Sequence, residues 1–368
     1  MNIIFNLKEL INKIKNIAPT AEAKQTLAIL GNMKVDVNLD SAKFTASDLE
    51  IEVSTVVKCV SDKEGSFTIP AKKMLEICNA LSAHDNLQVS VSDTKADLTA
   101  GKSKVSLQII QSADFPKMDI KQASVPIKVD TNELSNIINK TSFAMAYQDA
   151  RHFLNGLHIC VDGQKLISVC TDGHRLAKYT SSVVFDSDLS IIIPRKCILE
   201  INRILGSFTD NKDTLAELYV NNNSITFILN DYVLISKLIE GNYPNFNKVI
   251  PEETKSKIVI DRSILKNSLN IISKVVNQQY KGVKLTPSAE SLHLISSNTE
   301  SEVGEDQVEA SYDGEDLSIG FNISYIQDVI DILVSDKIHI CINDQNSGCI
   351  LVGDSEPNSV YVIMPMRV

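Results

Sequence analysis

The sequence predicts an α+β protein built from three tandem copies of one domain, each with two helices and several antiparallel strands. Three observations support this fold class. Two kinds of amphipathic helix recur along the 368 residues, short alternating apolar runs lie between them, and an aromatic-proline pair lies near the end of the first two copies. The copies are predicted to span residues 1–125, 126–253 and 254–368.

The first kind of helix opens each copy. Apolar residues recur at helical spacing behind Asn6, whose short polar side chain suits the N-terminal cap of a helix. Asp130 and Asp261 precede two similar segments, and their carboxylates also suit the positive end of the helix dipole. The sequence therefore predicts three opening helices.

The second kind of helix begins at Ile69, Ile193 and Phe321. The first two of these segments read IPAKKMLEICNAL and IPRKCILEINRIL and lie 124 residues apart. The opening helices of the first two copies are separated by the same distance, which two independent segments would rarely share by chance. The repeated unit is therefore about 125 residues long.

The strands are predicted from alternating apolar runs between these helices. In the first copy they lie at 33–39, 43–46, 51–60 and 87–91. In the second copy, residues 157–161 and 166–170 alternate around Asp162-Gly163, which is typical of a β-hairpin. The unit ends also match, with Phe115-Pro116 in one and Tyr243-Pro244 in the other.

The composition, 43% hydrophobic and 22% charged, is that of an ordinary globular protein. No apolar run reaches the roughly 18 residues that a membrane helix needs, and the N-terminus MNIIFNLKELINK lacks the features of a signal peptide. We therefore expect a cytoplasmic protein. The seven cysteines form no CxxC pair, so neither a zinc site nor a disulfide framework is expected.

The net charge of −10 disfavours tight nucleic-acid binding by the chain as a whole, although a local basic face is compatible with it. Basic residues recur where the second kind of helix begins, as Lys72-Lys73 and Arg195-Lys196. The third copy breaks this pattern and carries Asp328 in its helix. Such charges usually form a solvated face, whereas recurrence in a repeated unit would point them in one direction, and both interpretations stay open.

The segment TDGHR at 171–175 places Asp, His and Arg within four residues of one another. Asp172 and His174 would point to the same side of an extended segment, where an aspartate could orient a histidine as a general base. However, the sequence has no GxSxG, HExxH, Walker A or GxGxxG motif, and Asp172-Gly173 would equally form a turn. We expect no catalytic residues, with a hydrolase that uses Asp172 and His174 as the alternative.

The C-terminal segment VYVIMPMRV is strongly apolar up to its last residues. A core strand explains residues 360–363, but Met364 and Met366 on either side of Pro365 fit a core poorly. Methionine is common at adaptable binding surfaces because its thioether is flexible. A partner-binding groove and a simple core both stay open at this point.

These residues resemble the bacterial DNA polymerase III β sliding clamps, the processivity subunits of that polymerase. The segments that carry the resemblance span all three copies: FLNG at 153–156, TDGHRLA at 171–177, IPRK at 193–196, EGNYPNF and VIP within 240–251, YKGV at 280–283, FNISY at 321–325 and MPMR at 364–367. The resemblance implies a non-catalytic subunit without cofactor or metal. It also implies that two chains join head to tail into a homodimeric ring of six domains, with helices that line the hole around duplex DNA.

The resemblance further implies DNA contacts that are independent of sequence, because they reach phosphates rather than bases. The implied DNA-binding residues are Lys24, Lys72, Gln148, Arg151, His152, Phe153, Arg195, Lys196 and Lys281. A basic hole within an acidic outer surface would reconcile DNA binding with the net charge. The implied location is the bacterial cytoplasm, in association with the nucleoid. A protein-binding scaffold that never meets DNA is the remaining alternative.

Finally, the resemblance implies a groove between the second and third domains that binds linear peptides. The implied partners are the polymerase III catalytic subunit, the clamp loader, other polymerases, and mismatch-repair and ligase proteins. The implied groove residues are Leu154, Thr171, Gly173, His174, Arg175, Leu176, Pro244, Lys248, Val249, Asn322, Tyr325, Val362, Met364, Pro365, Met366 and Arg367. The sequence departs from the family's common pattern at Lys248, Gly348, Val368 and His152-Phe153.

Overall fold

The computed structural model describes residues 1–21, 27–118, 126–185, 188–208 and 214–367. The chain divides into two compact units. The first comprises residues 1–134 and 196–238, and the second comprises residues 135–195 and 239–368. The middle copy of the sequence repeat therefore contributes to both units.

Each copy has the same order of elements: a strand, a helix, four strands, a second helix and three strands. The first copy contains β1 (Asn2–Asn6), α1 (Leu7–Ile14), β2 (Asn32–Val37), β3 (Ser41–Ser47), β4 (Ile51–Ser61), β5 (Gly65–Pro70), α2 (Ala71–Ala80), β6 (Asn86–Val91), β7 (Lys95–Ala100) and β8 (Ser103–Gln108). The four strands predicted in this copy are confirmed as β2, β3, β4 and β6.

The second copy contains β9 (Ile127–Asp130), α3 (Thr131–Asn139), β10 (Gly156–Asp162), β11 (Lys165–Thr171), β12 (Arg175–Val184), β13 (Ser190–Pro194), α4 (Arg195–Gly206), β14 (Leu215–Val220), β15 (Ser224–Leu229) and β16 (Tyr232–Lys237). The predicted hairpin is confirmed, because β10 pairs with β11 and Asp162 lies opposite Lys165. The two turn residues are Gly163 and Gln164, with φ of +55° and +78°. The turn thus lies one residue later than predicted.

The third copy contains β17 (Ser256–Asp261), α5 (Arg262–Ile272), β18 (Gly282–Ser288), β19 (Ser291–Ser297), β20 (Val303–Glu309), β21 (Ser311–Tyr312), β22 (Ile319–Asn322), α6 (Ile323–Ile332), β23 (Lys337–Ile342), β24 (Cys349–Gly353) and β25 (Ser359–Ile363). The two-residue β21 is its only addition to the shared order of elements in the described chain. The predicted α+β fold with six helices and antiparallel sheets is confirmed.

The helix starts follow from local sequence. The Oδ1 atom of Asn6, Asp130 and Asp261 each accepts a backbone N–H from the first turn of the next helix, at 2.8 to 3.0 Å. These contacts confirm the three predicted caps and satisfy donors that would otherwise lack partners. The second kind of helix follows a strand that ends in Pro70 or Pro194 in the first two copies.

The core lies between these helices and the sheets. In the opening helix α1, Leu7, Leu10 and Ile14 are completely buried. In α5, the equivalent apolar face buries Leu265 and Leu269. This face of each opening helix packs under a sheet because removing apolar surface from water supplies most of the folding free energy.

The sheets of neighbouring copies join through one strand pair, and this junction occurs twice. In the first unit β5-β2-β3-β4 continues into β16-β15-β14-β9 through the antiparallel pair β4 and β16. In the second unit β13-β10-β11-β12 continues into β25-β24-β23-β17 through β12 and β25. Glu52 lies opposite Ile235 at the first junction, and Leu176 lies opposite Val362 at the second.

A third junction of this kind is left open. The sheet β22-β18-β19-β20 ends at β20, and the strands β1-β6-β7-β8 end at β8. Within the described ranges β20 pairs with β19 alone, and β8 pairs with β7 alone. Because β20 takes the place of β4 and β12, and β8 that of β16 and β25, the chain has two complementary unpaired edges.

Three features bear on the function classes considered above. No helix in the described part of the chain is long and apolar enough to cross a membrane. The same residues contain no group of three or more His, Cys, Asp or Glu side chains suited to a metal ion. All seven cysteines are free, and burial raises the pKa of the Cys78 and Cys197 thiols to about 12.

Candidate functional site

The TDGHR segment forms a tight turn between β11 and β12. Oδ1 of Asp172 accepts the backbone N–H groups of His174 and Arg175, at 2.9 and 3.0 Å. Gly173 has a φ of +90°, a conformation that favours glycine, and its N–H donates to Oγ1 of Thr171 at 3.1 Å. The Thr171 hydroxyl donates in turn to the carbonyl of Arg175 at 2.6 Å. The turn is therefore fixed by its own side chains.

Arg175 connects this turn to the third copy. Its Nε donates to Oδ2 of Asp172 at 3.0 Å, its Nη1 pairs with the carboxylate of Asp328 in α6, and its Nη2 donates to the carbonyl of Phe143 at 2.7 Å. The guanidinium also lies over the ring of Tyr325, 4.4 Å from its centroid. With all three nitrogens bound and only 11% of the side chain exposed, Arg175 is a structural anchor.

An apolar floor lies beneath the turn. Leu176 and Val362 are 3% and 1% exposed and form one cluster with Ile167 and Val169. Phe246, from the linker after the second copy, packs against this cluster. The predicted groove residues Leu176 and Val362, and likewise the buried Leu154, are thus below the surface rather than on an exposed wall.

The C-terminal segment runs alongside the turn. The N–H of Met364 donates to the carbonyl of His174 at 2.8 Å, and the N–H of Met366 donates to the carbonyl of Gly320 at 2.8 Å. Met364 is 36% exposed, and Pro365 and Met366 are half-buried. The predicted strand at 360–363 is confirmed within β25, and the segment after it lies at the surface.

The linker supplies the opposite side of this region. Pro244, Lys248 and Val249 are exposed, and Phe246–Lys248 form a short 3-10 turn. A Cβ atom added at Gly348 would lie 2.8 Å from Cγ1 of Val362, 3.3 Å from Sδ of Met364 and 3.8 Å from the carbonyl of Val249. Gly348 therefore faces both the floor and the C-terminal segment, and a larger side chain there would displace them.

The remaining predicted groove residues have different surroundings. The Asn322 side chain accepts the N–H of Ser324 at 3.0 Å and caps α6. Tyr325 lies under Arg175, and burial raises its pKa. Arg367 is exposed. Val368 lies outside the described residues.

Three side chains of this region were missed by the sequence analysis. Tyr243 stacks on His158, with ring centroids 4.4 Å apart and an interplanar angle of 8°, and burial lowers the pKa of His158. Phe246 covers the apolar floor, and Asp328 binds Arg175. The signals that could have identified them were the NYPNF segment and Asp328, an acidic residue in α6, a helix that lacks the basic residues of α2 and α4.

The geometry does not form a catalytic pair. Both oxygens of Asp172 are bound by the turn and by Arg175, and the exposed His174 ring has no hydrogen-bond partner in the described part of the chain. Nothing there orients the imidazole as a general base. The hydrolase interpretation of Asp172 and His174 is wrong.

The predicted DNA-binding residues fall into two groups. Some are exposed: Lys72, Gln148, Arg151 and His152, with Phe153 half-buried beside them. Arg151 is already held by Asp149, with Nε to Oδ1 at 3.0 Å and Nη2 to Oδ2 at 2.8 Å. The hydrogen bonds from Arg151 lower the pKa of Asp149 to about 2.

The others are partly buried. Arg195 donates from Nη1 to the carbonyl of Met145 at 3.2 Å and lies 5.9 Å from the ring of Tyr147. Lys196 forms an ion pair with the buried Asp48. Lys281 is half-buried at a φ of +49°. Lys24 lies outside the described residues. Lys72 and Lys196 belong to the first unit and the other described members to the second.

Comparisons with known proteins agree along the entire chain. Residues 1–119, 128–245 and 247–367 match the N-terminal, central and C-terminal domains of the DNA polymerase III beta subunit. The beta sliding clamp of Haemophilus influenzae is 32% identical over 370 residues, and that of Pseudomonas aeruginosa is 32% identical over 371, with both chains of each pair completely covered.

Solved structures show the same fold. The DNA polymerase III subunit beta of Pseudomonas aeruginosa has a TM-score of 0.91 at 31% identity, and a Bartonella birtlesii sliding clamp bound to griselimycin has a TM-score of 0.94 at 28% identity. Both comparisons cover 100% of each chain. Because three domain matches follow one another in order and the relatives align from end to end, the chain belongs to the DNA polymerase III beta subunit family and is a non-catalytic bacterial DNA sliding clamp.

Proposed function

We propose that two copies of this chain close head to tail into a six-domain ring around duplex DNA and tether the replicative polymerase to it. The observation that carries this proposal is the pair of unpaired edges, β20 and β8. Two equivalent junctions within the chain are closed by the pairs β4 with β16 and β12 with β25. A third such junction requires a second copy. Its β8 would pair with β20 of the first copy, and its β20 would pair with β8 of the first copy, which gives a closed two-fold ring.

The chemistry of the two edges is complementary. β20 carries the carboxylates of Asp306 and Glu309 and of Glu305, which binds His293, whereas the turn before β8 carries Lys102 and β8 carries Lys104, which pairs with Asp97. Opposite charges on facing strands favour one partner and one direction of pairing. An unpaired edge in a monomer would also leave backbone groups open to unwanted association, which the ring removes.

DNA would pass through the ring without base-specific contacts. Lys72 is exposed at the start of α2, and α4 begins with Arg195 followed by Lys196, the residue that lies one repeat after Lys72. Phosphate contacts from Lys72, Gln148, Arg151, His152, Phe153, Arg195, Lys196, Lys281 and Lys24 would be weak, independent of sequence and sensitive to salt. Since Arg151 and Lys196 already bind carboxylates, we expect Lys72 and Arg195 to contribute more strongly.

The groove proposal rests on the region around the TDGHR turn. An apolar peptide side chain would lie over Leu176 and Val362, between Met364 on one side and Val249 on the other. The bound griselimycin of the Bartonella birtlesii clamp is consistent with ligand binding by this family. We propose that the polymerase catalytic subunit, the clamp loader and repair proteins dock there through linear peptides. We also propose that the domain boundaries lie near residues 125 and 253, and that the protein associates with the nucleoid.

The decisive experiment is loading onto nicked circular DNA, followed by linearisation. A sliding ring stays on the circle and is lost from the linear molecule, because topology rather than affinity retains it. A scaffold that does not encircle DNA shows no such difference, although it too would bind peptides. A chain that sediments as a monomer at micromolar concentration and is not retained on circles would exclude the ring.

A further inference from the structure

A cavity lies at the junction between the first and second copies, entirely within the first compact unit. Its volume is about 520 Å³, which is within the range that holds small ligands or a peptide side chain with its neighbours. Leu49, Met118 and Ile235 line its apolar part, and Lys117 and Lys237 lie at its rim.

This cavity is the internal counterpart of the groove proposed above. The turn Ser47–Glu52 precedes the turn Thr171–Leu176 by 124 residues, the period of the repeat. Oδ1 of Asp48 accepts the N–H groups of the second and third residues after it, at 2.9 and 2.7 Å, as Asp172 does. The two turns therefore share one geometry.

The other walls correspond as well. Since Glu52 pairs with Ile235 as Leu176 pairs with Val362, Lys237 takes the place of Met364. Ser224, opposite Lys237, takes the place of Gly348. In the linkers, Pro116-Lys117-Met118 matches Pro244-Asn245-Phe246. Each side of the groove thus has a counterpart around the cavity.

The rims of the two sites differ in charge. Met364 and Asn245 are replaced by Lys237 and Lys117, two exposed lysines that form no ion pair in the described ranges, although Lys117 interacts electrostatically with the carboxylate of Glu52. The carboxylate of Glu52 is 9% exposed and accepts the N–H of Met118 at 3.0 Å, so it is directed at the backbone. The rim therefore favours an anion, while Leu49, Met118 and Ile235 favour an apolar group.

We infer that this cavity is a second docking site, for a short peptide that carries an acidic side chain next to an apolar anchor. The comparison with the groove rests on the proposed function, whereas the cavity and its two lysines do not. The charge difference means that the two sites select different peptides. One ring would then bind two classes of partner without competition between them.

A single titration can follow both sites. The full chain is labelled with ¹³C at the methionine methyl groups, so that Met118 reports the cavity and Met364 reports the groove. The probe is the peptide acetyl-Asp-Asp-Leu-Phe-amide, and acetyl-Asn-Asn-Leu-Phe-amide is its neutral control. We expect a saturable shift of the Met118 signal with the acidic peptide. The affinity obtained from this shift should be about tenfold weaker for the neutral peptide.

The variant Lys117→Gln/Lys237→Gln should weaken the acidic peptide at Met118 by about tenfold, whereas Lys165→Gln/Lys284→Gln, which removes two exposed lysines elsewhere, should not. A shift at Met118 with the expected preference for the acidic peptide supports the cavity, whether or not Met364 also shifts. A shift at Met364 alone, at neither methionine, or at Met118 with equal affinity for both peptides overturns the inference.

Discussion

Leu49 and Gly173 occupy the same place in two copies of one turn, and both have a left-handed backbone, with φ of +79° and +90°. Glycine adopts this conformation without steric cost, whereas Cβ of an L-residue approaches the neighbouring carbonyl. The first copy thus places a bulky side chain where the second has none, and this side chain lines the cavity beside Met118.

We therefore expect Leu49→Gly to increase the free energy of unfolding by about 1 kcal/mol, since relief of the left-handed strain outweighs the added freedom of the unfolded chain. Chemical denaturation measures this change. The matched control is Gly173→Ala, which should lower stability by about 1–2 kcal/mol. Destabilisation by both substitutions would mean that the Leu49 side chain contributes more by packing than its backbone costs.

Replacement of Arg175 tests the anchor between the turn and α6. Arg175→Lys retains a positive charge but cannot bind Asp172, Asp328 and the Phe143 carbonyl together, because an ammonium lacks the planar fork. We expect a loss of about 1–3 kcal/mol of stability and weaker peptide binding. Denaturation and fluorescence anisotropy measure the two effects. Arg367→Lys, at an exposed position, should leave stability unchanged, and an equal loss in both variants would contradict this role.

Met364 provides the cleaner test of the groove. Because its side chain is exposed, Met364→Ala should weaken peptide binding by about 1–2 kcal/mol with little effect on folding. Leu176→Ala should instead destabilise the protein by about 2–5 kcal/mol, since Leu176 is part of the buried floor. Isothermal calorimetry and thermal unfolding separate these effects. Unchanged affinity in Met364→Ala would place the peptide elsewhere.

The residues that sequence reasoning located correctly act over short distances. The caps at Asn6, Asp130 and Asp261 bind N–H groups within three residues, so composition and spacing were sufficient to predict them. The apolar floor was not predicted, because it forms only when Leu176 in β12 pairs with Val362 in β25. These two strands are far apart in the chain. Periodicity locates a strand but does not name its neighbour.

The same limit applies to charge. The resemblance implied that Lys196 contacts DNA, yet the residue forms an ion pair with Asp48 from another copy. Likewise Asp328 interrupted a basic pattern, and the structure shows that it binds Arg175 across 153 residues. Ion pairs between distant segments follow from tertiary packing, which a single sequence does not display.

Glu52 should give stability an unusual pH dependence. Burial raises the pKa of its carboxyl above the ordinary 4.5, so the folded state holds the proton more tightly than the unfolded chain. Its contribution to stability is therefore present below the ordinary pKa and is lost as pH rises through the raised value. In Glu52→Gln the amide oxygen can still accept the Met118 N–H. The free energy of unfolding of this variant, relative to that of the natural protein, should be higher at pH 7 than at pH 4.

Glu356 is the matched control with the opposite sign. Burial alone would raise the pKa of its carboxyl, but hydrogen bonds from Lys140 and from the backbone of Val334 and Ser335 lower it. Its stabilising contribution is present at neutral pH and is lost as pH falls. Glu356→Gln should thus cost more stability at pH 7 than at pH 4. Parallel pH profiles for the two variants, measured by urea denaturation, would contradict the assignment for Glu52.

Ile271 tests the ring closure. This side chain is 62% exposed on α5, whose last turn lies over β20, because a Cβ added at Gly304 would be 3.5 Å from Cδ1 of Ile272. A second copy paired along β20 would cover Ile271, so Ile271→Ala should raise the dissociation constant of the dimer by about tenfold. Sedimentation equilibrium measures the constant. Val334→Ala, at a position that is 71% exposed in the loop after α6, should leave the dissociation constant unchanged. An identical constant in both variants would move the interface away from β20.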